Sequence, residues 1–285
     1  MSIIGVSGKL QSGKNTTAYI IQYLIDNQRN NWKTKHIEED FYNYIKTKNY
    51  LKSNYKQKSF AGKLKDIVCL LINCTREQLE DETFKNKELS KEWWSIKKWY
   101  PNNINRDKVY TLIPYVGFDS RIFDGDDGCT WKEIRMTPRL LLQLIGTEGG
   151  RNLIHQNLWV NSLMSDYRKE SKSKKIEGQT SSNIGAEYPN WIITDCRFPN
   201  ELQAIKNKNG ITIRVNRSMN TINGKCIDKC KNYPNCKPCG NMKEHESETA
   251  LDNAEFDYVI DNEGTIEDLI YKVRAILIKE NLIHE

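Results

Sequence analysis

A chain of 285 residues with 38% hydrophobic residues and a mean hydropathy of −0.71 is long enough for one large α/β domain, yet polar enough that much of it must be surface, loop or insertion. Its longest apolar runs, such as Ile67–Ile72, fall far short of a membrane span, and the first residues lead into a strand rather than a leader, so a soluble cytoplasmic protein without a membrane partner is expected. The net charge of +6 is too modest to argue for a nucleic-acid surface, and it serves the binding of polyanionic nucleotides equally well.

The first predicted element carries the strongest signal. Ile3-Ile4-Gly5-Val6-Ser7 reads as a short buried strand, Gly8-x4-Gly13-Lys14 as a glycine-bounded loop, and the following run as a helix to about Asn27. Strand, loop and helix N-terminus in that order form a phosphate-binding context. Successive backbone N–H groups turn toward a phosphate, the helix adds its positive dipole end, and Lys14 reaches the β- and γ-phosphates. Gly8, Ser12, Gly13, Lys14, Asn15, Thr16 and Thr17 are therefore the candidate residues for ATP. One departure matters: Asn15 stands where such loops commonly place a Ser or Thr, so Thr16 or Thr17 must supply any hydroxyl near Mg²⁺.

Residues 28–54 are charged and irregular and read as an insertion, or as a helix plus loop. Lys58–Ala61 looks like a short buried strand, and Gly62 opens a helix reaching about Asn73. Residues 85–135 hold many Trp and Tyr without a clean period, which suggests a region that packs on itself or covers a cleft. Within it, Asp124–Gly128 is a solvated turn, because the Glu a calcium loop needs is missing at the required spacing.

Thr137-Pro138-Arg139 starts a helix well, with Thr at the N-cap and Pro at the first helical position. Leu140 to Ile145 make that helix buried, and Gly146 can end it, leaving Thr147, Glu148, Gly149, Gly150 and Arg151 where it surfaces. A helix over roughly 156–169 and a linker over 170–187 follow. Strands at Trp191–Asp195, Ile211–Val215 and Tyr258–Ile260 alternate with a helix from Pro199 and a final helix whose Thr265 and Asp268 form a capping box. Short apolar strands alternating with helices predict a mainly parallel sheet covered on both faces.

In such a sheet ligands sit at the carboxyl ends of the strands, where both the glycine-bounded loop and Asp195-Cys196-Arg197 fall. A carboxylate there can hold Mg²⁺ through water and an Arg can neutralise a transferring phosphoryl group, whereas the plainer alternative is a surface ion pair. Arg139, Arg151, Arg197, Arg214 and Arg217 are candidate phosphate clamps, since a planar guanidinium grips phosphate through two bonds, although Arg214 lies within a strand and suits a structural role equally well. His245 and Glu248 could contact a substrate base or sugar, or simply cap the structure.

The cysteines divide into scattered thiols (Cys69, Cys74, Cys129, Cys196) and one cluster, Cys226-x3-Cys230-x5-Cys236-x2-Cys239. In a cytosolic chain the cluster reads as a metal site before a disulfide. Four thiolates suit tetrahedral Zn²⁺, against the alternative of four reduced thiols in a loop.

Several stretches together resemble one family, the bacteriophage-type deoxynucleoside monophosphate kinases. They are Gly8 to Thr16; Ser59-Phe60-Ala61-Gly62-Lys63-Leu64-Lys65; Thr137-Pro138-Arg139 through Gln143 to Gly146-Thr147-Glu148; Trp159-Val160; Thr194-Asp195-Cys196-Arg197-Phe198-Pro199-Asn200-Glu201; and His245-Glu246-Ser247-Glu248 with Asp257 and Ile260 to Thr265. The loop alone is generic, and the Thr-Pro-Arg and Asp-x-Arg-Phe-Pro-Asn-Glu stretches are more specific.

The resemblance implies a three-layer α/β sandwich with about five parallel core strands, a single kinase domain over 1–285 carrying insertions at 28–54 and 85–135, and a lid-like segment at 218–248. It implies transfer of the ATP γ-phosphate to a deoxynucleoside monophosphate with Mg²⁺, in the host cytoplasm if the chain is viral. Carried over by position, Gly13, Lys14 and Thr16 bind ATP, and Asp195 parallels a strand-end carboxylate near Mg²⁺. Lys65, Arg139, Glu148, Arg151, Arg197, His245 and Glu248 fall to the acceptor side, with Lys14, Asp195, Arg197 and Arg151 closest to the chemistry. The cysteine cluster departs from the family pattern and falls where the lid should be, so a structural zinc that stiffens a small lid is the expected role. A kinase of another small molecule, phosphomevalonate or dephospho-coenzyme A, is the nearest rival. An ATP-dependent nucleic-acid-binding protein with a zinc knuckle is the rival from another class, and a homodimer is left open.

Overall fold

The computed structural model describes residues 2–9, 11–30, 36–99, 110–114, 130–173, 183–218, 221–222, 225–226 and 246–284. In chain order the first elements are β1 (Ile3–Ser7), α1 (Lys14–Asn30), α2 (Ile37–Lys46), β2 (Tyr55–Lys58), α3 (Gly62–Ile72), α4 (Arg76–Glu80) and α5 (Glu82–Lys85). Then come β3 (Ser95–Trp99), β4 (Tyr110–Pro114), β5 (Thr130–Ile134), α6 (Pro138–Gln143), a π-helical segment (Leu144–Ile154) and α7 (Leu158–Met164). The chain continues through β6 (Glu170–Ser173), β7 (Asn183–Glu187), β8 (Asn190–Cys196), α8 (Pro199–Lys206) and β9 (Ile211–Asn216). It closes with β10 (Thr221–Ile222), β11 (Lys225–Cys226), α9 (Glu246–Thr249), β12 (Tyr258–Asp261) and α10 (Ile266–Lys279).

Two compact units divide these elements: residues 1–60 with 160–285, and residues 61–159. The first unit is built on a five-stranded sheet in the order β12-β9-β1-β8-β2, with every pairing parallel. β1 lies at its centre and is buried at all five positions, which is why its sequence is continuously apolar or small. One face is closed by α1 and α10, whose Ile20, Ile21, Leu24, Leu269, Ile270, Val273 and Leu277 pack with Ile4, Val6, Ile213 and Ile260. Burying each such aliphatic side chain stabilises the fold by about 1.5–3 kcal/mol. The other face buries Ile3, Trp191 and Ile193 against Phe60, Val160, Leu163, Leu202 and Ile205. The expected parallel sheet covered on both faces is present.

Local contacts explain several of the sequence signals. Thr265 and Asp268 form the reciprocal cap of α10. Asp257 accepts from the amide and hydroxyl of Thr212, tying the approach to β12 to β9. Residues 28–54 resolve toward the helical reading: α1 runs to Asn30, α2 follows and Asn49–Lys52 form a 3₁₀ turn. Phe41 and Tyr44 of α2 join the core beside Tyr23. Buried Asp26 accepts from Tyr44 Oη (2.7 Å) and Ser53 Oγ (3.0 Å), fastening α2 and the 3₁₀ turn to α1. Burial and the Asp26 carboxylate hold the Tyr44 hydroxyl well above the usual tyrosine range.

Three expectations shift. The strand expected at 58–61 lies earlier, at Tyr55–Lys58, because β2 is an edge strand that buries only Tyr55. The linker expected over 170–187 contains the antiparallel hairpin β6–β7. Gly146 does not end its helix, which continues as the π-helical segment to Ile154.

The second unit packs Leu64, Val68, Leu79, Met136, Leu141 and Trp159 into its own core. Part of the aromatic region is an antiparallel sheet in the order β4-β3-β5, so that region packs on itself where it is described. The Asp124–Gly128 turn and Cys129 lie outside the described residues. No helix among the described residues is long and apolar enough to cross a membrane.

Candidate functional site

Gly8, at the start of the loop, packs tightly on the end of the sheet. An added Cβ at Gly8 would sit 2.4 Å from the carbonyl oxygen of Val215 at the end of β9, so only glycine lets the chain pass. Gly13 has φ +101°, a left-handed conformation that also favours glycine, and it delivers the chain into α1. Ser12 N donates to Lys9 O (3.2 Å), and Lys14 Nζ donates to Gly8 O (2.7 Å) and Lys9 O (2.5 Å), so the ammonium lies across the loop's carbonyls.

The hydroxyls near the loop take different roles. Thr17 is fully buried, and its Oγ1 donates back to Gly13 O at 3.0 Å, so it fastens the first helical turn and faces the core. Thr16 is half-buried and Asn15 exposed, which leaves Thr16 as the hydroxyl on the accessible side. Ser12 Oγ is buried and has no hydrogen-bond partner among the described residues. An orphaned buried hydroxyl in a glycine-bounded turn at the N-terminus of α1 fits a phosphate oxygen as its partner.

Asp195 and Arg197 lie at the end of β8, next to β1, where Ser7 pairs with Cys196 and Ser7 Oγ donates to Cys196 O at 2.8 Å. Asp195 accepts from Ser59 Oγ (2.6 Å) and from the Phe60 amide (2.8 Å), so its carboxylate holds the turn after β2 as well as standing at the strand end. Sequence separation hid this pairing. Arg197 is half-buried, and its amide donates to Glu201 Oε2 at 2.7 Å. The same oxygen takes the Phe198 amide at 3.1 Å, so buried Glu201 caps α8 from its third position. The Phe198 side chain offers no acceptor, so its main-chain carbonyl takes the Glu201 amide at 3.1 Å instead, and Pro199 needs no partner for a missing N–H. This is the structural content of the Asp-x-Arg-Phe-Pro-Asn-Glu stretch. Burial, with Glu201 and Asp195 adding negative charge, pushes the Cys196 thiol well above the usual cysteine range, so it is an inert packing group.

Of the other arginines, Arg214 is committed to the fold. Its guanidinium donates to Ser7 Oγ (3.1 Å), pairs with Asp252 (3.4 Å) and lies over the Phe256 ring, while Lys9 Nζ takes the other Asp252 oxygen at 3.2 Å. Arg217 is exposed. Arg214, a candidate phosphate clamp, instead closes a Lys9–Asp252–Arg214 chain, and Lys9, Asp252, Glu201 and Ser59 have no role in the expected site. Their signal was weak, since each is an ordinary polar residue whose partner is distant in sequence or already used as a cap.

The second unit carries Lys65, Arg139, Glu148 and Arg151. Thr137 Oγ1 accepts from the Leu140 amide and Pro138 takes the first helical position, as expected, which sets Arg139 on the first turn of α6. Its guanidinium pairs with Glu82 and donates to Asn86 Oδ1 at 3.0 Å. Lys65 pairs with Glu80 at 2.6 Å. Thr147 and Arg151 are each 7% exposed inside the π-helical segment, so the expectation that they surface beyond a helix end is corrected. The wide turn is held open by Trp159, whose Nε1 donates to Gly146 O at 2.7 Å and whose ring would meet a Cβ on Gly150 at 3.0 Å. Segments of this kind are over-represented at functional sites.

Glu248 lies in α9 and Cys226 in β11, while Cys230, Cys236, Cys239 and His245 lie outside the described residues. Among the described residues, no group of three or more His, Cys, Asp or Glu side chains could hold a metal ion.

Comparison with known proteins gives this architecture a family. Residues 2–230 match the model of a family described as deoxynucleotide monophosphate kinase. Over 222 residues the chain is 23% identical to the deoxynucleoside-5'-monophosphate kinase of Escherichia phage T5, an alignment that covers 73% of this chain and 72% of that one. With a parallel α/β sheet, a glycine-bounded loop at its central strand and a family match over most of its length, the chain belongs to the deoxynucleotide monophosphate kinases.

Proposed function

We propose that this kinase binds ATP at the Gly8–Lys14 loop and transfers its γ-phosphoryl group to the 5′-phosphate of a deoxynucleoside monophosphate. The observation that carries the donor assignment is the loop itself: glycine-demanding contacts at both ends, Lys14 drawn across its carbonyls, and a buried Ser12 hydroxyl lacking a partner. An oxygen of the acceptor phosphate attacks the γ-phosphorus, the bond to the β–γ bridging oxygen breaks, and the electrons leave with ADP. No protein nucleophile is needed, so the enzyme contributes position and charge.

Lys14 and the loop amides hold the donor phosphates, and Arg197 and Arg151 neutralise the transferring group. Lys65, Arg139 and Glu148, with His245 and Glu248, form the acceptor side. Thr16 and Asp195 are the groups that would hold Mg²⁺, Asp195 through water given its bonds to Ser59 and Phe60. The ion would neutralise charge on the donor phosphates. The two compact units then serve one kinase domain, with the lid-like segment at 218–248 excluding water.

Incubation with Mg-ATP and each common deoxynucleoside monophosphate should give the diphosphate of at least one of them. No diphosphate from any of the panel would remove this reading, and the same panel separates it from kinases of phosphomevalonate or dephospho-coenzyme A. Salt-sensitive retention of DNA or RNA on a filter would instead favour the nucleic-acid reading. For the four-cysteine cluster, zinc remains our proposal from ligand chemistry and spacing. Stoichiometric zinc in protein purified without added metal would support it, and four freely titratable thiols without metal would end it. Sedimentation with and without nucleotide tests the homodimer.

A further inference from the structure

We propose that Asn262 is a positioning residue of the donor site, fixing the Ser12–Gly13 peptide from the far end of the sequence. This rests on the assignment of the Gly8–Lys14 loop to ATP. Asn262 Nδ2 donates to the Ser12 carbonyl at 2.9 Å, in a buried bond spanning 250 residues. A trans peptide points its C=O and the following N–H in opposite directions. Holding the Ser12 oxygen toward Asn262 therefore turns the Gly13 N–H away from it, and that amide is one of those a phosphate cradle is built from.

The side chain is itself fixed. Asn262 is 8% exposed, and it follows β12 directly. Its amide donates to Asn216 O at the end of β9 (2.7 Å), and three residues later Thr265 caps α10. The side chain has little freedom to leave the loop. It also constrains the loop's sequence: a Cβ on Gly13 would stand 2.5 Å from Nδ2, so the glycine is required by Asn262 as well as by its φ of +101°. Nδ2 must face Ser12 O, because the side-chain oxygen in that place would set two acceptors against each other.

Ordinary loop packing would also keep an Asn here, so the test separates position from stability. Asn262→Ala removes the donor, and Asn262→Asp keeps the size while presenting an acceptor to Ser12 O. In the full chain we expect the KM for ATP and the calorimetric Kd for ATP to rise about tenfold in Asn262→Ala, the cost of turning a released Ser12–Gly13 peptide back toward the phosphate when ATP binds, and further in Asn262→Asp. The KM for the deoxynucleoside monophosphate should stay within about twofold. Should Asn262→Ala fail to fold, Asn262→Asp gives the same reading. Unchanged ATP affinity in a folded variant overturns the proposal, as does an equal rise in both KM values accompanied by a lowered melting temperature. The calorimetric arm is independent of turnover, so a wild-type chain that binds ATP but phosphorylates no member of the panel fails as a kinase reading and still reports on Asn262.

Discussion

Lys14 of the first unit and the Lys65 and Arg139 side chains of the second are held by different means. Lys14 is fastened by the main-chain carbonyls of Gly8 and Lys9, in a loop whose path is dictated by backbone contacts. In the second unit Lys65 pairs with Glu80, Lys85 with Glu80 and Glu82, Arg76 with Asp66 and Arg139 with Glu82. A main-chain partner is set by the fold and does not titrate. A carboxylate partner can be displaced by an arriving phosphate, can be protonated, and is worth about 0–1 kcal/mol when part-exposed. The first arrangement suits a group common to every turnover, and the second suits recognition that must form and release.

The largest effect that would break this contrast is at Lys14. Lys14→Ala should lower kcat/KM on the order of a thousandfold while the chain still folds, at a modest loss of stability from its two bonds to loop carbonyls. A fall below tenfold would mean that the loop is ornamental. Next comes the wide turn. Trp159→Phe loses the bond to Gly146 O and also the part of the indole packed on Gly150, so urea unfolding should show a loss of about 1–3 kcal/mol or more. Unchanged stability would show that the π-helical segment does not depend on that bond.

Arg139 sharpens the comparison directly. Arg139→Lys should raise the KM for the acceptor about tenfold with little change in the KM for ATP, since an ammonium cannot grip phosphate through two bonds. Glu82→Gln should move the acceptor KM the other way, by about twofold, because the guanidinium no longer has to exchange an anionic partner. A rise instead would show that Glu82 orients Arg139 and does not compete with phosphate.

The smallest effect is in pH. Burial alone would raise the Glu80 carboxyl, but the hydrogen bond and charge of Lys65, with Lys85 and Arg76, outweigh it and hold the group below the usual glutamate range. A depressed folded-state value means stability that is present above the unfolded value and lost as pH falls through the folded one. Glu80→Gln should therefore flatten the decline of stability on acidification below about pH 4, by at most about 1 kcal/mol for a half-exposed group. An unaltered acid limb in stability measurements would show that these pairs contribute nothing measurable.

The sequence was most readable where burial imposes a simple pattern. β1, β8 and β9 are short apolar runs because the middle of a parallel sheet is covered on both faces, and α10 declares itself through Thr265, Asp268 and its stripe of Leu and Ile; β12, an edge strand with only Ile260 buried, still reads as a strand through Tyr-Val-Ile. β2 was misplaced because an edge strand reading Tyr-Lys-Gln-Lys lacks such a run. α2 was ambiguous because only Phe41 and Tyr44 of its ten residues are buried. In the site, the loop was legible from glycine spacing, but the choice between Thr16 and Thr17 depends on which hydroxyl turns into α1. The side-chain partners of Asp195 and Asn262 lie 135 and more residues away, and no local periodicity encodes such pairs.

The π-helical segment has a consequence for how this chain tolerates change in length. An α-helix advances about 100° per residue, and bonding one residue further along the chain alters that advance, so Leu144–Ile154 sets the angular phase of whatever follows. Deleting a single residue there would let the turn tighten, rotate Arg151 off its buried bearing and carry Trp159 away from the Gly146 carbonyl it holds. Between Thr137 and Trp159, residue number works as a dial setting, and insertions or deletions change which side chain faces inward.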